Sequence, residues 1–414
     1  MTATAGGAHN LVVITAIAIF TLTYVAVAIG RLPWLRLDRA GAAFAGAGLM
    51  VAVGVLPLGA AYQAIDLDTI TLLFGVIIVV ANLELSGFLG FASGWIVDRA
   101  RHPLTLLCAV VTVTGVLSAC LVNDAICLAV TPLVLEIVIH SRRNPVPYAL
   151  AIAMASNVGS TATITGNPQN IIIGSLSDIS YARFAAALSP VAAVGLVLTI
   201  LLIAITYRTE FWTAAQLTSH PELARANKPL MIKSAIVSLL MVVAFFAGVA
   251  PARAAIGAGA VLMLTRRIKS RRIFEEIDWA LLLMFVGLFI VVAGLEKNVF
   301  SAATDATIGS WHLERVPVLA AVTGVLSNLV SNVPAVLVLS PFVGRMGNHE
   351  RAWLTIAMAS TLAGNFTIPG SIANLIVVQR ARACGVDIGF WEYFKVGAPL
   401  TLITIAIGVA WLEL

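Results

Sequence analysis

Two short polar segments of related sequence interrupt apolar runs in the two halves of this chain. Asn123 and Asp124 stand within GVLSACLVNDAICLAVTPLV, and Ser331 and Asn332 stand within GVLSNLVSNVPAVLVLSPFV, which is identical to it at eight of twenty aligned positions. An asparagine side chain offers one carbonyl acceptor and two donors, and a broken helix frees backbone N–H and C=O groups. Each segment can therefore coordinate a cation or hold a small polar solute.

A second pair of polar runs also matches between the halves. AIAMASNVGSTATITGNPQN begins at Ala151 and aligns without a gap with TIAMASTLAGNFTIPGSIAN, which begins at Thr355. Gly and Pro break a helix, and the half-helix after each break presents unpaired N–H groups that carry partial positive charge. Such an end suits an anion or an electron-rich oxygen.

The candidate solute ligands come from these four runs and are mostly amides and hydroxyls. They are Asn123, Ser156, Asn157, Ser160, Thr161, Thr163, Gly166, Asn167, Asn170, Asn328, Ser331, Asn332, Thr367, Gly370, Ser371 and Asn374. Two plainer interpretations stay open, since the asparagines could serve only as hydrogen bonds between helices and the Gly–Pro runs only as kinks. The recurrence of Asn at one position in both halves favours a solute site.

Three carboxylates are candidates for coupling transport to an ion. Asp124 is the only carboxylate at either tip, and removing a carboxylate from water favours its protonated form. Glu84 and Glu296 end a third repeated block, in which FGVIIVVANLE from Phe74 matches VGLFIVVAGLE from Val286. For these two, pairing or snorkelling at an interface is favoured over a role in transport. Asp124 is therefore the first candidate for proton exchange.

Enzyme chemistry is not expected of this sequence. It contains no GxxxxGK[ST] run, no metal-ligand cluster and no nucleophile elbow, so we expect no ATP hydrolysis, no cofactor and no metal centre. Cys108, Cys120, Cys127 and Cys384 lack metal-site spacing and are interpreted as small packing residues, although thiols can also bind trivalent arsenic. The basic residues are scattered among loops, which argues against a nucleic-acid partner.

Composition identifies an integral membrane protein. Of the 414 residues 60% are hydrophobic and 11% are charged, whereas soluble domains carry roughly a quarter charged residues. Charge-free stretches long enough to cross about 30 Å of hydrocarbon recur along the chain. The first of them, 11–30, lacks a following small-residue cleavage site and is interpreted as a retained helix.

The positive-inside rule fixes an orientation for the helices. Basic loops near 31–39, 99–101, 142–143, 208–228, 266–272 and 380–382 are placed in the cytoplasm. This is consistent only if residues 103–140 enter and leave from the cytoplasmic side as a re-entrant hairpin. Residues 316–343 then form a hairpin that opens outward, and both termini lie outside a bacterial inner membrane.

The predicted fold is an all-α polytopic membrane protein built from two inverted-topology repeats, with about ten transmembrane helices and two re-entrant hairpins. The predicted parts are a first repeat 1–207 with hairpin 103–140 and broken helix 147–176, a cytoplasmic linker 208–228, and a second repeat 229–414 with hairpin 316–343 and broken helix 351–379. Non-helical backbone at membrane depth must be buried in protein or line a water-filled cavity. Both hairpin tips are therefore expected at the interface between the halves.

These motifs resemble the ion transporter superfamily, and within it the arsenite permease and NhaD-type antiporter branch. The Asn123-Asp124 tip followed by an apolar run to Thr131-Pro132 is similar to arsenical pump permeases, and TGNPQN is similar to a G-[ND]-P-x-N loop of that branch. Dicarboxylate members of the superfamily carry Ser-Asn-Thr at both tips, where sodium binds. The tips here keep Asn and lack a hydroxyl at one or both ends.

The resemblance implies a secondary transporter that works by alternating access, with hairpins and broken helices forming a transport domain against a scaffold. The leading solute is arsenite or antimonite as the neutral hydroxide, exported against proton entry, and the resemblance allows a soluble arsenic ATPase as partner. One alternative is cation/proton antiport, in which Asp124 binds Na+ and H+ in turn. A second is sodium-coupled uptake of an anion held by the half-helix ends.

Overall fold

The computed structural model describes residues 2–32, 37–99, 102–212, 227–265, 268–299 and 311–414. This part of the chain forms twenty α-helices, and its only strands are the two-residue pair Arg31–Leu32 and Leu37–Asp38, which run antiparallel. Eight of the described helices are long and apolar enough to cross a membrane, and four more are apolar but shorter. The chain is an all-α polytopic membrane protein, as its composition predicts.

The first half contains helices α1 to α11. They are α1 (Thr2–Ile29), α2 (Arg39–Ala52), α3 (Leu58–Ala64), α4 (Leu67–Leu85), α5 (Phe88–Arg99), α6 (Pro103–Cys120), α7 (Asn123–His140), α8 (Val146–Ser160), α9 (Pro168–Leu176), α10 (Tyr181–Thr206) and α11 (Arg208–Phe211). A short 3-10 turn, Ile164–Gly166, separates α8 from α9.

The second half contains helices α12 to α20. They are α12 (Lys228–Phe246), α13 (Pro251–Met263), α14 (Ser270–Glu275), α15 (Trp279–Val299), α16 (Val316–Val330), α17 (Asn332–Val343), α18 (His349–Ala363), α19 (Ile372–Ala383) and α20 (Phe390–Glu413). A 3-10 turn, Ile368–Gly370, separates α18 from α19. Helix pairs α6–α7 and α16–α17 occupy the segments for which re-entrant hairpins are predicted, and the two 3-10 turns interrupt the segments for which broken helices are predicted; re-entry into the membrane stays a prediction.

Helices α2, α4, α13 and α15, which we call the scaffold, pack in two pairs that each join the two halves: α4 against α13 and α15 against α2. Small residues allow this approach. A Cβ on Gly75 would lie 2.4 Å from the carbonyl carbon of Ala255, and a Cβ on Gly287 would lie 2.6 Å from that of Ala43. Close backbone approach at small residues is a usual basis of helix packing in membranes.

Two hydrogen bonds define which helix ends share a face of the molecule. Asn227 N donates to Ser86 O (3.2 Å), so α12 begins where α4 ends. Asn298 Nδ2 donates to Val55 O (3.1 Å), so α15 ends where the chain has left α2. We call the face at which α4 ends the basic face and the other the opposite face. The basic face carries Arg142, Arg143, Arg208, Lys228, Arg271, Arg272, Arg380 and Arg382.

The two ends of the first hairpin, α6 and α7, meet at the basic face. Tyr148 donates its hydroxyl to Pro103 O (3.3 Å) and contacts Glu210, and Arg143 forms an ion pair with Glu210 (2.9 Å). Both arms therefore start from one side, as in a re-entrant hairpin and equally as in two spanning helices joined by a turn; both arms are among the eight long apolar helices, and their re-entry stays a prediction. Most of the linker predicted at 208–228 falls on 213–226, which lie outside the described residues. The division into repeats 1–207 and 229–414 stays a prediction.

Candidate functional site

The tips of the two hairpins meet at a cavity of about 30 Å³ inside the molecule. Its wall combines both tips, the first residues of half-helices α9 and α19, and scaffold residues near the basic face. The lining residues are Val27, Arg39, Asn123, Asp124, Pro168, Gln169, Leu281, Met284, Ser331, Asn332, Val333, Pro334, Ser371 and Ile372. We call this space the tip cavity.

The two tips turn by different backbone conformations. In the first hairpin Leu121 is extended (φ −134°, ψ 163°) and Val122 has φ −60° before α7 begins. In the second hairpin Ser331 alone makes the turn, with φ 78° and ψ 160°. That region is essentially restricted to glycine, and a residue with a Cβ is strained there by roughly 1–3 kcal/mol.

Both tip asparagines keep one side-chain oxygen without a partner. Asn123 and Asn332 are only 3% and 8% exposed, yet Asn123 Oδ1 and Asn332 Oδ1 accept no hydrogen bond from the described residues. A buried oxygen left unpaired costs about 1–3 kcal/mol. Both residues line the tip cavity, so each oxygen is a candidate to accept a hydrogen bond from a solute or to coordinate a cation.

Asn157, at the end of α8, uses its side-chain amide entirely on protein groups. Its Oδ1 accepts from Asn123 Nδ2 (3.1 Å) and from Ser371 Oγ (3.0 Å). Its Nδ2 donates to Asn365 Oδ1 (2.9 Å) and to Asn374 Oδ1 (3.0 Å). The residue therefore joins the first tip to the broken helix of the other half.

Thr361, the residue of the second half aligned with Asn157, bonds the broken helix of the first half. Its Oγ1 accepts from Asn167 Nδ2 and Gln169 Nε2, both at 3.2 Å, and lies 3.5 Å from Asn170 Oδ1. Each broken helix thus reaches across to the start of the half-helix of the other. The two breaks are held against each other by buried amide and hydroxyl groups.

Asn170 and Asn374 close the breaks within their own halves. Asn170 Nδ2 donates to Ser160 O (3.1 Å) and Thr163 O (2.9 Å), and Asn374 Nδ2 donates to Gly364 O (2.7 Å) and Thr367 O (3.1 Å). These bonds satisfy carbonyls that the helix ends leave free.

The remaining predicted ligands bond backbone groups or the hairpins. Thr163 donates to Ala119 O on the first hairpin, and Thr367 donates to Asn328 Oδ1 (3.2 Å) on the second. Ser156 and Thr161 bond carbonyls of α8 itself. Glycine is needed at both breaks, since a Cβ would lie 2.2 Å from Ser160 O at Gly166 and 2.8 Å from Asn328 Oδ1 at Gly370.

The structure therefore divides the predicted site residues into groups. The residues that line the tip cavity are Asn123, Asp124, Ser331, Asn332 and Ser371. Glu84 lies near the basic face, where it interacts electrostatically with Glu276 and Arg380. Glu296 is exposed on α15. Neither glutamate lines the tip cavity.

Three residues at this centre were absent from the predicted site. Gln169 and Arg39 line the tip cavity, and Asn365 bonds Asn157 and Met154 O (3.3 Å). Gln169 could have been found, because it stands between the two asparagines of the same run. The sequence places Arg39 only in a basic loop, since a charge beside a helix end is typical of membrane topology.

The cysteines form no metal site in the described part of the chain. All four are free thiols, and no group of three or more His, Cys, Asp or Glu residues among the described residues could hold a metal ion. Cys127 is buried and contacts Ser156.

Comparison with known families identifies one match over most of the chain. Residues 24–363 match the model of the CitMHS family, which is described as a citrate transporter. Among solved structures, the YdaH transporter of Alcanivorax borkumensis superposes with a TM-score of 0.63 at 15% sequence identity. The match covers 98% of this chain and 97% of that chain, and at this identity it concerns the fold alone.

Similar proteins from bacteria and eukaryotes extend over nearly the full length. The 46 kDa membrane protein of Mycobacterium leprae is 28% identical over 97% of this chain and 98% of its own length. The silicon efflux transporter LSI3 of Oryza sativa is 28% identical over 91% and 93%. The putative transporter arsB of Dictyostelium discoideum is 24% identical over 91% and 87%.

Proposed function

Since this chain belongs to the citrate transporter family CitMHS, within the ion transporter superfamily, and is a membrane secondary transporter, we propose that it exports a small neutral metalloid hydroxide. Arsenite or antimonite is the favoured solute, and proton entry drives its export. The sequence resemblance to this superfamily is confirmed by the family match, while the solute and the coupling ion are our proposal.

The observation that carries the proposal is the pair of unpaired oxygens beside the tip cavity. Asn123 Oδ1 and Asn332 Oδ1 are acceptors, and neither can donate a hydrogen bond. A neutral hydroxide such as As(OH)3 presents three O–H donors, so it can satisfy both oxygens. A fully deprotonated oxyanion presents only acceptors and would leave these two oxygens unpaired, while Arg39 on the same wall is the cationic group there that would favour it.

The size of the tip cavity also favours a small solute. Its volume of about 30 Å³ is near the space that one or two water molecules need. A tricarboxylate would require the tips and half-helices to move much further apart than a three-coordinate hydroxide. Gln169, Ser331 and Ser371 add neutral polar groups to the same wall.

The names of two relatives support the same class of solute. The rice protein is named for silicon efflux and the Dictyostelium protein is named arsB. Silicic acid and arsenous acid are both small polyhydroxides that are uncharged near neutral pH. The amide oxygens and hydroxyls of the tip cavity, with Asp124 and Arg39 beside them, would accommodate either solute.

Asp124 is the proposed proton carrier of the cycle. It is the only carboxylate that lines the tip cavity, in the described part of the chain. When the cavity opens to the cytoplasm, solute binding displaces the proton of Asp124. When it opens outward, the solute leaves and Asp124 takes up a proton, which returns the empty carrier to the inside.

The orientation and partners follow from the same proposal. The basic face is the cytoplasmic face of a bacterial inner membrane by the positive-inside rule. Trp411 Nε1 donates to Ala187 O (2.8 Å) near the start of α10, so α20 ends at the opposite face. Helix α1 begins at the same face, which supports the placement of both termini outside. A soluble arsenic ATPase remains a candidate partner at the basic face.

Flux in proteoliposomes with an imposed pH gradient tests the proposal. We expect arsenite or antimonite to accumulate on the acidic side and a protonophore to collapse the accumulation. Asn332→Ala should lower the flux at least tenfold. Asn82→Ala is the matched control, because Asn82 also has a buried unpaired oxygen but lies outside the tip cavity.

The same vesicles separate the alternative solutes. Flux of Na+ against protons without metalloid flux would replace the proposal by cation/proton antiport, which the acceptor oxygens also suit. Sodium-dependent citrate or phosphate flux would replace it by anion uptake.

A further inference from the structure

A second cavity, of about 190 Å³, lies at the opposite face of the molecule. It is formed by the first turns of α4 and α13 and by the last turn of half-helix α9. Asp68, Leu72, Gly174, Ser175 and Arg253 are the lining residues that bear on its role. We call it the outer cavity.

The scaffold wall of the outer cavity is equivalent by the repeat to the scaffold wall of the tip cavity, which in addition contains both tips and the first residues of α9 and α19. Leu72 stands two residues before Phe74, as Met284 stands two residues before Val286 in the aligned block. Leu72 lines the outer cavity and Met284 lines the tip cavity.

An arginine lies at each cavity as well. Arg253 is in the first turn of α13, and Arg39 is in the first turn of α2. The packing of Gly75 on Ala255 and of Gly287 on Ala43 makes α13 and α2 equivalent. Equivalent scaffold helices therefore begin at the two cavities, each with an arginine in its first turn, although the two arginines are two residues out of register.

Half-helix α9 connects the two cavities. Its first residues, Pro168 and Gln169, line the tip cavity, and its last residues, Gly174 and Ser175, line the outer cavity. The residues between them, 171–173, are fully buried isoleucines. A shift of α9 away from α4 would open a passage from the tips to the opposite face.

A hydrogen-bonded contact holds α9 in its present place. Ser175 Oγ donates to the carboxylate of Asp66, with distances of 2.9 Å to Oδ1 and 3.0 Å to Oδ2. Asp66 is at the same time the N-cap of α4, where Oδ1 accepts from Thr69 N (2.7 Å). The end of the half-helix is thereby attached to the scaffold.

The equivalent contact at the basic face is open. Asp278 stands eight residues before Val286, as Asp66 stands before Phe74, and it accepts from Leu281 N (2.9 Å). Gln379 follows Asn374 by five residues, as Ser175 follows Asn170. Asp278 and Gln379 are both exposed, and the described residues show no hydrogen bond between them.

We propose that the outer cavity is the release site of the transport path and that the Asp66–Ser175 contact is its gate. This rests on the proposed function as a transporter. In the alternate state Ser175 leaves Asp66, the outer cavity joins the tip cavity, and Gln379 approaches Asp278 at the basic face.

The chemistry of the outer cavity suits a small neutral hydroxide in transit. Asp68 can accept a hydrogen bond from the solute and Arg253 can donate one to it, while the two charges offset each other. Asp66, bonded to the lining residue Ser175, adds a second carboxylate beside the site, so acceptors outnumber the one cationic donor among the lining residues.

Cross-linking tests the gate. In a cysteine-free background, Asp66→Cys with Ser175→Cys is joined by a short thiol-specific cross-linker. We expect flux to fall at least tenfold and to return when a reductant cleaves the linker. The matched control is Val55→Cys with Asn298→Cys, which joins two parts of the same face that do not border the outer cavity. Full flux with the first pair joined would overturn the proposal.

Labelling gives a readout that needs no solute. A cysteine at Gln169 should react slowly with an impermeant maleimide added from the opposite face. Ser175→Ala removes the gate contact and should raise that rate severalfold. Ser177→Ala, two residues further along the chain, should leave it unchanged. An unchanged rate with Ser175→Ala would contradict the gate. Because no solute is present, this result stands even if flux assays identify a different solute.

Discussion

Asn157 and the tip asparagines show that one residue type serves two purposes at this centre. Asn157 has both donors and both acceptor positions occupied by protein groups, so it stabilises the contact between the halves. Asn123 and Asn332 each keep an oxygen free at the tip cavity. The sequence marks all three as candidate ligands, and only the partners of each amide distinguish the two purposes.

Asp124→Asn should uncouple transport from the pH gradient. The amide keeps the size and much of the hydrogen bonding of the carboxyl group but cannot exchange a proton. We expect folding and solute exchange to persist while pH-driven accumulation is lost, and Asp124→Glu should keep part of the coupling. The measurement is solute accumulation against an imposed gradient at several pH values. Unchanged pH dependence in the Asn variant would assign coupling to another group, with Glu84 and Glu296 the next to test.

Replacing Cys120 and Cys127 together by Ala should leave transport largely intact. Neither belongs to a cluster of metal-binding residues in the described part of the chain, and several thiolates on trivalent arsenic would hold it too tightly for rapid release. The test is arsenite resistance in cells with matched expression of the variant. Complete loss of resistance at normal expression would argue for thiol coordination.

At the scale of helices, the first hairpin depends on one close backbone contact. A Cβ on Gly159 of α8 would lie 2.2 Å from Gly115 O and 2.5 Å from Gly115 Cα of α6. Gly159→Ala should therefore force α6 and α8 apart and destabilise the protein by roughly 1–3 kcal/mol. Thermal unfolding in detergent measures the effect. Gly48→Ala in α2 is the control, since nothing lies within 4 Å of its Cβ position and no loss is expected.

The elements were more predictable than the contacts between them. Hairpin and broken-helix bounds follow from local signals, because Gly, Pro and Asn interrupt apolar runs at matching places in both halves. The bond between Asn157 and Asn365 joins residues 208 apart in the chain, and no local pattern specifies it. The position of Arg39 in the tip cavity is likewise not predictable from the sequence, because it depends on how α2 packs against α15.

At the scale of the whole molecule, the two faces differ in charge and in which cavity they border. Single cysteines at His102 and Asn144, in a cysteine-free background, should both be labelled from the cytoplasm, because both ends of the first hairpin lie beside Glu210. A cysteine at Asn348, at the start of α18, should be labelled only from outside. Labelling of the first two positions from different sides would contradict the re-entrant hairpin and the tip cavity with it.

The backbone conformation of Ser331 gives the second tip a strain that the first tip lacks. A serine held where glycine belongs stores roughly 1–3 kcal/mol in the second hairpin, and the first hairpin has no such residue at its tip. Since every 1.4 kcal/mol is a factor of ten in a population, relaxation of this one turn in the alternate state would bias the resting carrier about five- to 150-fold toward that state. The backbone conformation of this one residue can therefore set which side of the membrane the empty carrier faces most of the time.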